Sequence, residues 1–123
     1  MKIHESGENY LETILLLRKK SGYVRAVDVA NQLKYSKPSV SRALGILKSA
    51  GLVSIESSGN ILLTPAGERR AAEIYERHRV ITEFLVLTLG ISSDIAAEDA
   101  CRIEHIISPD TFNRIREYVE KRN

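Results

Sequence analysis

Apolar residues recur along this chain with two periods, and the change from one to the other outlines a fold. Tyr10, Leu11, Ile14, Leu15 and Leu17 make a stripe at helical spacing. It predicts a first helix from about Gly7 to Lys20, stopped by Ser21-Gly22. A second helix is expected over about Ala26 to Leu33, with Val27, Val29, Ala30 and Leu33 apolar and Lys34-Tyr35 as the turn. Ser36 then stands where an N-cap is needed, and Pro38 falls in the first turn, where its missing N–H costs nothing. A third helix should continue to about Ala50, burying Val40, Leu44 and Leu47, with Gly51 as the residue just past its end. The period then falls to two. Leu52 to Glu56 and Asn60 to Thr64 read as short strands, and Ser57-Ser58-Gly59 has hairpin-turn chemistry. Helical spacing returns at Thr64-Pro65, a cap followed by a first-position proline. This fourth helix should extend to about Thr88, with Leu89-Gly90 ending it. Ser92 or Ser93 is placed to cap a fifth, to about Ile107, and Ser108-Pro109-Asp110 a sixth, to about Lys121.

Three helices followed by a β-hairpin is the order of a winged helix-turn-helix. The chain is therefore expected to be mainly α: a winged helix-turn-helix over residues 1–66, then an all-helical half over residues 67–123. That second half has few residues for a private core. Ile74, Ile81, Phe84, Leu85, Ile106 and Phe112 are candidates for burial against a second copy.

Charge sharpens the division. From Thr13 to Ala50 there are eight basic residues and one acid, Asp28, a net of +7. Residues 65–123 carry nine basic and eleven acidic residues, a net of −2. A basic half beside an acidic half suits a phosphate-binding module joined to a cation-binding one. The third helix should be the recognition element. Ser36, Ser39 and Ser41 offer short hydroxyls to phosphates or base edges, Pro38 opens the same turn, and Arg42 has the fork that takes guanine O6 and N7. Lys37 and Lys48 read as phosphate contacts. The turn of the wing carries no basic residue, so the wing is expected to add little charge.

The single cysteine excludes an intramolecular disulfide framework and fits a reducing compartment. The N-terminal residues contain no apolar signal core, and the longest apolar stretch, around Phe84 to Ile91, is too short to cross a bilayer. A cytoplasmic protein with no membrane partner is expected. Cys101 lies in Cys101-Arg102-Ile103-Glu104-His105, and on a helix Cys101, Glu104 and His105 share one face. Thiolate, carboxylate and imidazole together suit a divalent transition metal. His78 on the fourth helix, and Asn9 and Glu12 three apart on the first, are further candidate ligands.

Five motifs occur in order: Glu-Asn-Tyr-Leu-Glu from Glu8, Ser-Lys-Pro-Ser-Val-Ser from Ser36, Leu-Thr-Pro-Ala-Gly from Leu63, Arg-His-Arg from Arg77, and Cys-Arg-Ile-Glu-His from Cys101. With them the chain resembles the diphtheria toxin repressor family of iron- and manganese-dependent regulators, over nearly its whole length. The resemblance implies a homodimer on double-stranded operator DNA, with the fourth to sixth helices forming the dimerisation and metal-binding half. It implies a metal site drawing on Glu12 and Asn9, His78, and Cys101, Glu104 and His105, with bound metal tying the first helix to the rest. Longer relatives carry an SH3-like domain, and this chain looks like the shorter, manganese-regulator type. Departures from the family pattern fall at Asn9 (methionine in iron-type members, aspartate in manganese-type), at Cys101 (often glutamate in manganese-type members), at Thr82 (often glutamate, with Glu83 one further here) and at Ala97 (histidine in iron-type members). Carboxylates and an amide oxygen suit Mn²⁺, whereas a thiolate shifts preference towards Fe²⁺, Co²⁺ or Zn²⁺. Fe²⁺ or Mn²⁺ is the expected ion, with Co²⁺, Ni²⁺ or Zn²⁺ able to load in vitro. No small organic substrate is expected. An enzyme using Cys101 as nucleophile lacks any oxyanion hole in the pattern. The rival reading is a winged-helix repressor that senses an organic ligand or has no metal response.

Overall fold

The computed structural model describes residues 5–122. Its elements follow in the order α1 (Glu5–Ser21), α2 (Ala26–Leu33), α3 (Lys37–Ser49), β1 (Val53–Ile55), β2 (Ile61–Leu63), α4 (Pro65–Leu89), α5 (Ser93–Ile103) and α6 (Pro109–Arg122). They form two compact units, one ending at Ala72 and the other beginning at Glu73, so that α4 contributes to both.

In the first unit α1 packs on α2, α3 and β2, and α2 on α3. Leu11, Ile14, Val29, Val40 and Leu47 are all buried there. Val27, expected on the apolar stripe of α2, is instead 41% exposed. Ser36 caps α3 as its chemistry requires, accepting from the Ser39 N–H at 3.3 Å. At the other end Gly51, at φ 77°, closes a Schellman turn: Leu52 N–H donates to Leu47 O and Gly51 N–H to Lys48 O, each at 3.0 Å. β1 and β2 pair antiparallel in the register Val53↔Leu63, Ser54↔Leu62, Ile55↔Ile61. They are shorter than the pattern predicts, although Glu56 N–H still reaches Asn60 O at 2.9 Å. Gly59 at φ 94° donates to Glu56 O at 2.8 Å, which makes the tip a turn followed by a left-handed glycine.

Thr64 starts α4 with two bonds. Its hydroxyl accepts from Gly67 N–H at 3.0 Å and donates to Gly51 O at 2.6 Å. Gly67 is required here, because a Cβ at that position would sit 1.9 Å from Leu52 O. Two ion pairs fix α1 to this start of α4: Glu8 with Arg70 at 2.9 Å, and Arg18 with Glu68. The Arg18 guanidinium holds the Glu68 carboxyl below its ordinary range.

The second unit has a core of its own. Val80, Ile81, Ala100, Phe112 and Val119 are buried together, with Phe84, Leu85, Ile103, Ile107 and Ile115 packed against them. This corrects the expectation that Ile81 and Phe112 wait for a second copy, and Ile74 is likewise fully buried within the chain. Ile106 does remain 73% exposed. The reason is geometric: α4, α5 and α6 interleave three apolar stripes, enough to enclose these side chains without a partner.

Candidate metal centre and nucleic-acid interface

α5 ends earlier than its sequence suggests. Regular helix stops at Ile103, and Glu104 is the C-cap, at φ −59° and ψ −26°. Glu104 and His105 therefore lie in a turn and not on a continuing helix face. The turn stays close to helical, with Glu104 N–H on Ala100 O at 2.9 Å and Ile107 N–H on Ile103 O at 3.0 Å. The predicted grouping survives for that reason. One donor atom from each of Cys101, Glu104 and His105 lies within 4.8 Å of the others. His78 joins from α4, its Nδ1 3.1 Å from Glu104 Oε2, while His105 Nε2 is 3.3 Å from Glu104 Oε1.

Glu104 is the centre of this group. Its side chain has no exposed surface, and among the described residues neither carboxylate oxygen accepts a hydrogen bond. A buried carboxylate in that condition costs several kcal/mol unless a cation offsets it. Sulfur, oxygen and nitrogen donors around it are a borderline set that fits a divalent transition ion. Cys101 is a free thiol, half-buried on the last regular turn of α5. The Thr82 hydroxyl donates to His78 O at 2.7 Å along α4. Glu83 lies 3.7 Å from Arg79. In the other unit, Glu12 is buried on α1 at 5% exposure, and Asn9 is half-buried one turn before it.

The residues expected to meet DNA are all at the surface. Ser36, Lys37, Pro38, Ser39, Ser41, Arg42 and Lys48 are exposed, while Val40, Leu44 and Leu47 hold the opposite side of α3 in the core. Ser36 has a double duty, since its hydroxyl also bonds Ser39 Oγ at 2.9 Å. The wing holds a cation that its own sequence lacks. Arg25, from the segment between α1 and α2, donates to Ser58 O at the tip (3.1 Å) and lies over the Tyr23 ring at 5.4 Å. Tyr23 donates to the same carbonyl at 3.3 Å, while hydrogen bonding by the Ser58 side chain and then by Arg25, which donates to the phenol oxygen at 3.2 Å, holds the phenol below its ordinary range. Arg25 is 33 residues from Ser58 in sequence. Local pattern carries no signal of that meeting beyond the basic run itself.

Two family descriptions divide the chain. Residues 2–60 match the iron dependent repressor N-terminal DNA binding domain, and residues 64–123 its metal binding and dimerisation domain. The transcriptional regulator MntR of Escherichia coli O157:H7 is 37% identical over 114 residues, covering 93% of this chain and 73% of that one.

The chain belongs to the iron-dependent repressor family.

An HTH-type transcriptional regulator of Methanocaldococcus jannaschii is 32% identical, over 95% of this chain and 94% of its own length. Among solved structures, a manganese-dependent transcriptional repressor in complex with manganese superposes with a TM-score of 0.86 at 28% identity. That match covers 93% of this chain and 52% of the other, so the chain spans about half of the solved relative. Family membership fits the winged-helix architecture and the regulatory, non-enzymatic class that the element order implies. Among the described residues, no helix is long and apolar enough to cross a membrane.

Proposed function

We propose that this protein is a transcriptional regulator that binds operator DNA as a homodimer when Fe²⁺ or Mn²⁺ is bound, and that it works in metal homeostasis in the cytoplasm. The observation that carries the reading is Glu104: a fully buried carboxylate with no hydrogen bond to either oxygen, flanked by two imidazoles and next to a thiol. Cys101, Glu104, His105 and His78 are the ligands offered by the helical half. Glu12, with Asn9 beside it, is the ligand offered by α1 of the DNA-binding unit, as the family resemblance implies. A divalent ion held there would supply the positive charge that offsets the buried Glu104 carboxylate.

The protein's own residues transmit that event. Glu8–Arg70 and Arg18–Glu68 clamp α1 to the start of α4 on either side of Glu12. A force on Glu12 therefore moves the unit that carries α3, not α1 alone. In a dimer this sets the spacing of the two recognition helices against the helical repeat of DNA. Leu87, Leu89, Ile95 and Ile106, each 46–73% exposed on the second unit, are the apolar surface such a dimer would cover. On DNA, Arg42 is proposed to read a guanine, Ser36, Ser39 and Ser41 to contact phosphates or base edges beside Pro38, and Lys37 and Lys48 to bind phosphates.

Linkage supplies the test. If metal strengthens DNA binding by some factor, DNA strengthens metal binding by the same factor. Metal affinity of anaerobically prepared protein is measured with and without duplex operator, across Mn²⁺, Fe²⁺, Co²⁺ and Zn²⁺. Tighter metal binding in the presence of DNA is expected. Equal affinities would reject the coupling.

A further inference from the structure

On α3, two residues of the outward face do nothing for the fold. With Val40, Leu44 and Leu47 facing the core, a turn of roughly 100° per residue puts Pro38, Arg42, Gly45, Ile46 and Ser49 on the opposite side. Gly45 lies inside the helix, its backbone does not enter the left-handed region, and a Cβ there would meet no heavy atom within 4 Å. Neither sterics nor backbone conformation within the chain calls for glycine, the poorest helix former after proline. Ile46, next to it, is 55% exposed. It is a β-branched apolar side chain on the face that also carries Arg42 and Ser49.

We propose that the Gly45–Ile46 step is a base-reading element, in which Gly45 lets the α3 backbone approach the floor of the major groove and Ile46 rests on the C5-methyl of a thymine. The assignment rests on the DNA-binding reading above. The occupant is a duplex because this step lies on the face that carries Arg42, within a stretch of +7 net charge from Thr13 to Ala50 that contains one acid. The thymine methyl is the apolar feature that the major groove displays, so it is the natural partner for an unpartnered isoleucine one turn beyond Arg42. A missing side chain at position 45 has a function only if something outside the chain comes closer than a methyl group would allow.

The test uses full-length wild type, Ile46→Ala and Gly45→Ala, each with Mn²⁺. The preferred site is selected from randomised duplexes, and each of its thymines is then replaced by deoxyuridine, which deletes the methyl alone. Wild type should lose about fourfold in affinity at one thymine per half-site, the worth of one buried methyl. Ile46→Ala should show no loss at that position. Gly45→Ala should raise the Tm by roughly 3–6 °C, through helix propensity, while binding DNA at least about tenfold more weakly. The opposite signs separate a lost contact from a damaged fold. Equal deoxyuridine penalties in wild type and Ile46→Ala, or undiminished binding by Gly45→Ala, would overturn the assignment while leaving DNA binding intact. A wild-type protein that enriches no sequence would overturn the DNA-binding reading and this assignment with it.

Discussion

Replacing Glu104 by glutamine should make the protein more stable without metal and less stable with it. Glutamine keeps the shape of the side chain and removes its charge. In the wild type that charge is fully buried and accepts no hydrogen bond, with imidazole nitrogens at 3.1 and 3.3 Å. Relief of its desolvation cost should stabilise the chelated variant by about 1–2 kcal/mol. Added Mn²⁺ at a hundred times its dissociation constant stabilises the wild type by about 2.7 kcal/mol. If loss of the central carboxylate weakens the ion by about a hundredfold, the same concentration stabilises the variant by only about 0.4 kcal/mol. The two unfolding curves therefore change order between chelator and metal. Urea denaturation of both proteins under anaerobic conditions, with and without Mn²⁺, measures all four values. A metal-induced shift as large in Glu104→Gln as in the wild type would refute the argument, because the buried carboxylate would then not be a ligand.

Two further outcomes follow from the geometry. Gly67→Ala forces a methyl to 1.9 Å from the Leu52 carbonyl and should cost about 3 kcal/mol or more, seen as a lower urea midpoint at unchanged slope. DNA affinity should fall steeply with salt: Arg25, Lys37 and Lys48 from two protomers give a log–log slope of about −5, and Arg25→Ala should shallow it by about 2.

Most helix ends were legible because they are written in local chemistry. Ser36 before Pro38, Thr64 before Pro65, Ser92 before a helical run, and Gly51 after one each satisfy backbone groups within a few residues, and the structure uses all four. The end of α5 was not legible. Nothing in Ile103-Glu104-His105-Ile106 breaks a helix on propensity, yet regular helix ends at Ile103, five residues before Ser108 caps the next one. The core of the second unit was misjudged because apolar spacing identifies a buried face but not what covers it. Ile81 and Phe112 share one core within the chain, from α4 and α6, with α5 between them in order. The charge of the wing was misjudged for the same reason, since Arg25 reaches Ser58 only through tertiary structure.

The placement of Glu104 and His105 beyond the last regular turn of α5 separates two properties of the centre. The thiol at position 101 is set by rigid helix, so its chemical character is exchangeable by a single substitution that leaves the backbone where it is. The carboxylate and the imidazole proposed as ligands sit in the turn that follows, outside the regular helix. For the proposed centre, ion preference then has a short evolutionary route: one codon at position 101 retunes donor hardness and leaves the turn in place.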